Sequence, residues 1–158
     1  MNYYYCYQLA DYHVLIAERD GSIHTIFSNT DSHQHPSLGE ERETDVIREA
    51  SMQLKQYFEK SRRTFTFPIE ITGTPFQRRV YNALLEIPYG QTASYKEIAE
   101  RAGSPKGYRA VGNTVNRNPL WIAVPCHRVI GSDGSLVGYA GGLQMKKKLL
   151  EIEGYRRS

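Results

Sequence analysis

One tetrapeptide carries the chemistry most visible in this chain: Pro125-Cys126-His127-Arg128. A thiol reacts as its thiolate, and a neighbouring imidazole or guanidinium can lower its pKa or accept its proton. Successive residues of a strand point to opposite faces, so Cys126 and His127 cooperate directly only at a bend, and Pro125 is suited to make one. A Cys-His pair alone is more often a packed thiol beside a surface imidazole than a catalytic unit, so the elements around it carry the argument. The other cysteine, Cys6, stands far away in sequence. Two thiols make no disulfide framework, and a reducing compartment is the simpler expectation.

The elements that must position this tetrapeptide lie in the second half. Thr74-Pro75 sets a capping hydroxyl before a proline at the first helical position, with Phe76, Val80 and Leu84 following on one face. Pro88-Tyr89-Gly90 ends that helix. Ser94-Tyr95-Lys96-Glu97 is a capping box for a short helix that stops at Gly103. Ser104-Pro105 is expected to open a third helix, with Tyr108, Val111 and Val115 on one side, ending at Asn118-Pro119. Two short helices joined by a tight glycine-containing turn form a helix-turn-helix, whose last helix enters a groove. Residues 121–130 and 135–139, around the Ser132-Asp133-Gly134 turn, are expected to form a hairpin or wing. A final helix is expected from Leu143 to about Ile152, carrying Lys146-Lys147-Lys148.

The first half reads as a small sheet plus a helix. Residues 3–10, 12–18 and 22–27 are aromatic and β-branched, with Asp20-Gly21 as a turn. Val46, Ile47, Ala50, Leu54, Tyr57 and Phe58 follow helical spacing between residues 44 and 60. Residues 64–71 are expected to be a strand leading to a boundary at Gly73, giving domains 1–72 and 73–158.

The 158 residues are 40% hydrophobic and 23% charged, with a mean hydropathy of -0.55, enough apolar material for one domain or two small ones. No apolar run approaches the roughly 18 residues of a membrane span, and the N-terminus lacks the make-up of a signal peptide. A cytoplasmic protein without membrane partners is therefore expected. Residues 1–72 have a net charge of -4 and residues 73–158 one of +7, placing the basic surface on the half with the helix-turn-helix. That asymmetry suits one lobe that meets a polyanion.

Thr74-Pro-Phe-Gln77, Ile87-Pro-Tyr-Gly90, Ser94-Tyr95, Arg109-Ala-Val-Gly112, Asn118-Pro119, Pro125-Cys-His-Arg-Val129 and Gly138-Tyr-Ala-Gly-Gly142 occur in one order. This set resembles the O6-alkylguanine-DNA alkyltransferase family (methylated-DNA–protein-cysteine methyltransferases) over nearly all of residues 74–154. The first half resembles the family's N-terminal domain only in size and element order. The resemblance implies an α/β two-domain fold: an N-terminal small sheet plus helix, ribonuclease H-like, and a C-terminal winged helix-turn-helix. It implies DNA repair by irreversible transfer of the alkyl group from O6-alkylguanine in duplex DNA to Cys126, once per molecule, with O4-alkylthymine as a further candidate substrate.

The residue roles it implies are these. Cys126 is the acceptor, His127 takes the thiol proton through a water, Glu153 orients that histidine, and Asn118 braces the turn behind the active loop. Tyr95 donates to the departing guanine and crowds the neighbouring phosphate. Because the target oxygen lies inside the base stack, the nucleotide must be flipped out, and Arg109 fills the vacancy. Lys96, Ser104 and Ser132 match positions that contact the DNA backbone. Val129, Tyr139, Ala140 and Gly141 wall the guanine pocket, Ala140 standing where some relatives have serine. No cofactor and no metal are expected: Cys6, His13, His24, His33 and His35 give no four-ligand spacing for the structural zinc of some relatives. A monomer is expected.

Each residue has a plainer role available. Tyr95 could pack in the helix-turn-helix, Arg109 be a solvated charge, Asn118 end a helix, and Glu153 lie at a helix C-terminus that does not favour a carboxylate. No plain role requires the whole ordered set. The alternative functions are a non-catalytic helix-turn-helix lesion-sensing protein, which Cys126 argues against, and a thiol hydrolase, which gives no reason for the basic half.

Overall fold

The computed structural model describes residues 1–28, 35–136 and 142–155. His33 of the zinc argument and Tyr139, Ala140 and Gly141 of the expected pocket lie outside the described residues. The chain forms two compact units that interleave: Met1–Glu70 with Pro119–Trp121, and Ile71–Asn118 with Ile122–Ser158. The sequence reading divided the chain once, at residue 73. In the structure three residues of the second half are counted with the first.

The first unit is an antiparallel meander, β1 (Asn2–Leu9), β2 (Tyr12–Arg19) and β3 (Ser22–Ser28), edged by the two-residue β4 (Glu40–Glu41) in the order β3-β2-β1-β4. Asp20 and Gly21 turn β2 into β3 with φ values of 51° and 86°, the left-handed pair that matches the twist of a two-residue hairpin. β2 is central, and Val14, Leu15, Ile16 and Ala17 are all buried. Helix α1 (Asp45–Phe58) packs on the meander through Ile47, Ala50, Leu54 and Tyr57. Its N-cap Thr44 accepts from the Ile47 N–H and donates its hydroxyl to Glu18 of β2, fixing the start of the helix to the sheet.

Residues 64–71 are not the expected strand. They form one isolated bridge, Ile23↔Ile69. Pro68 has no N–H to give to a ladder, and Gln53 of α1 takes over, donating to Thr66 Oγ1 at 2.8 Å and accepting the Thr66 N–H at 2.9 Å. Leu120 and Trp121 complete this unit. Ile26 donates to Pro119 O at 2.8 Å and accepts the Trp121 N–H at 3.2 Å, and the indole meets Tyr12 edge-on at 5.3 Å.

The second unit holds helices α2 (Pro75–Leu85), α3 (Tyr95–Arg101), α4 (Tyr108–Asn116) and α5 (Leu143–Ile152). The expected Ser94–Glu97 capping box is present, and Thr74, expected as a capping hydroxyl, forms a second one with Gln77. The α3–α4 turn passes through Gly103 at φ 78°. The third helix begins later than the sequence suggested. Residues 104–107 form a turn closed by the Gly107 N–H on Ser104 O at 2.8 Å, so Pro105 serves the turn and Gly107 is the N-cap. Tyr81 of α2 donates to Thr114 O of α4 at 3.2 Å, and Val80, Leu84, Ile98, Val111 and Val115 form the core.

Val129–Ile130 (β6) pairs in parallel with Ala93–Ser94 (β5), a pairing the sequence did not suggest. Residues 131–135 close a turn through Gly131 N–H to Ser135 O at 2.8 Å. Residues 137–139 lie outside the described residues. Among the described residues no helix is long and apolar enough to cross a membrane.

Candidate active site

Cys126 is presented by an irregular loop rather than by a strand. Ile122 has φ 69°, a left-handed conformation that costs a β-branched residue about 1–3 kcal/mol. Pro125, at φ -81° and ψ 65°, closes an inverse γ-turn in which the Cys126 N–H donates to Val124 O at 2.8 Å. Cys126–Arg128 then makes one 3-10 turn. This is the bend the sequence argument required, and it buries Cys126, His127 and Arg128 together.

Asn118, two residues beyond the end of α4, spans the back of the loop. Its side-chain N–H groups donate to Val124 O at 2.8 Å and to Cys126 Sγ at 3.2 Å. It therefore braces the turn and also supplies a donor to the sulfur, a contact the sequence did not reveal.

His127 and Glu153 are fully buried and joined Nε2 to Oε2 at 2.6 Å. Burial pulls the imidazole pKa below 6.5, Glu153 pulls it back up, and the Arg128 and Lys146 charges push it down. The ring is thus neutral near pH 7. Beside an ionised Glu153 its proton sits on Nε2, leaving Nδ1 as the acceptor. Nδ1 is buried and has no hydrogen-bond partner among the described residues.

Glu153 is the C-cap of α5, where the helix dipole opposes it. Burial alone would raise its pKa, but donors from His127 and Arg128 overcome that and hold it at about 2. Arg128 reaches Oε1 through Nε at 2.8 Å and Oε2 through a terminal nitrogen at 3.0 Å, and its other terminal nitrogen donates to Ile87 O at 2.7 Å. The Gly90 N–H adds a fourth donor at 3.2 Å. Arg128 therefore anchors the carboxylate; the sequence had offered it as a charge acting on the thiol.

The β5–β6 pair sets Tyr95, the first residue of α3, just after the strand that runs beside the acceptor loop. Burial and the charge of Cys126 both raise the Tyr95 pKa, so its hydroxyl keeps its proton. Lys146 was missed as a site residue. It is fully buried, its Nζ lies 5.9 Å from the Tyr95 ring centroid, and burial lowers its pKa to about 8 against an opposing pull from Cys126. The available signal was helical phase, since Lys146 sits between Met145 and Leu149 on the buried side of α5.

The structure thus gathers Cys126, His127, Glu153, Asn118 and Tyr95, with Arg128 and Lys146 added. Val129 is buried beside them in β6, while Lys96, Arg109 and Ser132 are exposed and Ser104 is half-buried in the turn before α4. No group of His, Cys, Asp and Glu suited to a metal ion occurs among the described residues.

A basic helix-turn-helix unit thus carries a thiol, a neutral imidazole and a buried carboxylate, and its charge suits a nucleic-acid partner. Two family models cover the chain: 6-O-methylguanine DNA methyltransferase, ribonuclease-like domain, at residues 2–71, and 6-O-methylguanine DNA methyltransferase, DNA binding domain, at residues 75–155. The chain belongs to the 6-O-methylguanine DNA methyltransferase family.

The constitutive methylated-DNA–protein-cysteine methyltransferase of Bacillus subtilis is 44% identical over 158 residues, covering 97% of this chain and 96% of its own. That of Mycobacterium leprae is 48% identical over 140 residues, covering 88% and 85%. The crystal structure of Mycobacterium tuberculosis O6-methylguanine methyltransferase superposes with a TM-score of 0.86 at 36% identity, covering 100% of this chain and 96% of that one. The crystal structure of Mycobacterium tuberculosis OGT in complex with DNA gives 0.85 at 37% identity, covering 96% and 92%.

Proposed function

We propose that the protein repairs DNA as a methylated-DNA–[protein]-cysteine S-methyltransferase, taking the alkyl group from O6-alkylguanine in duplex DNA onto Cys126. The observation that supports this most is the buried His127, whose proton is committed to Glu153 at 2.6 Å and whose Nδ1 remains an acceptor one residue from the thiol. The thiol proton passes to Nδ1 through a water. The Cys126 Sγ then attacks the alkyl carbon in line, the carbon–O6 bond breaks, and its electron pair leaves on guanine. Tyr95 donates to the departing base, and Asn118 donates to the sulfur. The thioether is not readily hydrolysed, so each molecule acts once.

Flipping the target nucleotide costs a few kcal/mol, and Arg109 offsets it by filling the stack. Val129 with Tyr139, Ala140 and Gly141 walls the base, and Lys96, Ser104 and Ser132 hold the backbone. Residues 73–158 bind DNA and accept the alkyl group; residues 1–72 are a scaffold. The protein acts as a monomer, inside the cell with DNA.

The test is intact-protein mass spectrometry after incubation with a duplex containing O6-methylguanine. One added methyl, mapped to the Cys126 peptide and saturating at one per protein, is expected. A methyl on another residue overturns the assignment, and unchanged mass with tight lesion binding favours a sensor.

A further inference from the structure

Tyr108, the first residue of α4, was expected on one side of that helix with Val111 and Val115. It is 56% exposed, and Lys106 and Arg109, close to it in sequence, are exposed as well. It lines a cavity of about 230 Å³ together with Tyr95, Lys96, Pro105 and Ser132. That volume is below the usual range for a drug-sized ligand. The polar members are an ammonium and three hydroxyls, with no carboxylate among the described residues, while two rings and a proline supply apolar faces. An apolar surface with a cation and hydroxyl donors, open on one side, complements a deoxyribose flanked by phosphate.

Resting on the proposed function, we infer that Tyr108 is a DNA-contacting residue, packing its ring on the sugar-phosphate next to the extruded nucleotide while Tyr95 and Lys96 meet the same segment from within the cavity. Tyr108 thereby holds the strand after flipping, a task distinct from filling the stack and from holding the base. The ring face carries the interaction, so the hydroxyl is dispensable.

The test compares Tyr108→Ala and Tyr108→Phe with the unsubstituted protein. Second-order transfer rates are measured on a duplex containing O6-methylguanine and on free O6-benzylguanine. Tyr108→Ala is expected to lose roughly five- to hundred-fold on the duplex, the range for an aromatic face against a nucleotide, and less than about two-fold on the free base. Tyr108→Phe should recover most of the duplex rate. Equal losses on both substrates would make Tyr108 a wall of the base pocket and overturn the inference. So would a Phe variant as impaired as the Ala variant, or a duplex rate unaffected by either. Absence of transfer by the unsubstituted protein would instead overturn the functional reading beneath it.

Discussion

Replacing Lys146 with methionine should make the protein more stable and a poorer alkyl acceptor at once. Lys146 is fully buried and titrates near 8 rather than 10.5 because burial disfavours its charge. A pKa depressed that far corresponds to about 3 kcal/mol of native-state cost at neutral pH. The contact of Nζ with the Tyr95 ring, 5.9 Å to the centroid, returns roughly 1 kcal/mol, and methionine fills a similar volume. Lys146→Met should therefore gain about 2 kcal/mol at pH 7, or roughly 4–8 °C in Tm for a chain of this size. The sign with pH is definite. Below 8 the lysine is charged in both states and the full cost is present. Between 8 and 10.5 the folded protein releases its proton first, the unfolded chain binds more protons, and the native state recovers the cost. The gain from methionine should thus shrink steadily over that interval. Thermal unfolding of both proteins at pH 7, 9 and 10.5 reads this directly. Cys126 pulls the Lys146 pKa up, so by reciprocity the ammonium favours the thiolate, and iodoacetamide should label the variant more slowly at pH 7. A variant less stable than the parent at pH 7, or a gain that does not change with pH, would refute the reasoning.

Three further outcomes are expected. Cys126→Ala should abolish methyl transfer by mass spectrometry while leaving duplex binding in a gel-shift assay within a few-fold; residual transfer would mean another acceptor. Arg109→Ala should lose at least ten-fold more rate on duplex DNA than on free O6-benzylguanine, and equal losses would remove it from the flipping step. Glu153→Gln should destabilise by about 3–5 kcal/mol, because Arg128, 7% exposed, keeps a buried charge facing a neutral amide; a urea midpoint within error of the parent would contradict that.

Much of the frame was legible because local chemistry decided it. Asp20-Gly21 adopts the paired left-handed turn, Thr74 caps α2, the Ser94–Glu97 capping box closes, and α5 runs from Leu143 to Ile152 as expected. Reading failed where a distant side chain or a competing turn decided the outcome. Gln53 captures Thr66 and denies residues 64–71 a ladder. Ser104 and Gly107 make a turn from what reads as a helix start, and the parallel partner of Val129 lies 36 residues earlier at Ala93. In the site, residue types alone pointed to Cys126 with His127, and the family resemblance added Glu153, Asn118 and Tyr95. The burial of Lys146 was open to helical phase, whereas the partner chosen by Arg128 depends on packing between α5 and the acceptor turn, which no local pattern encodes.

The return of Pro119–Trp121 to the first unit bears on how this molecule can be cut, swapped or permuted. A fragment ending near residue 72 would leave Ile26 without its backbone partners at Pro119 and Trp121, and Tyr12 and Phe58 without the indole they face at 5.3 and 5.9 Å. The complementary fragment would carry Leu120 and Trp121, 1% and 7% exposed in the whole protein, as a sticky apolar tab only five residues before Cys126. The halves are thus not interchangeable cassettes. A chimera joined at the obvious glycine must take residues 119–121 from the same parent as residues 1–70, or its first module will seek that tab on another molecule.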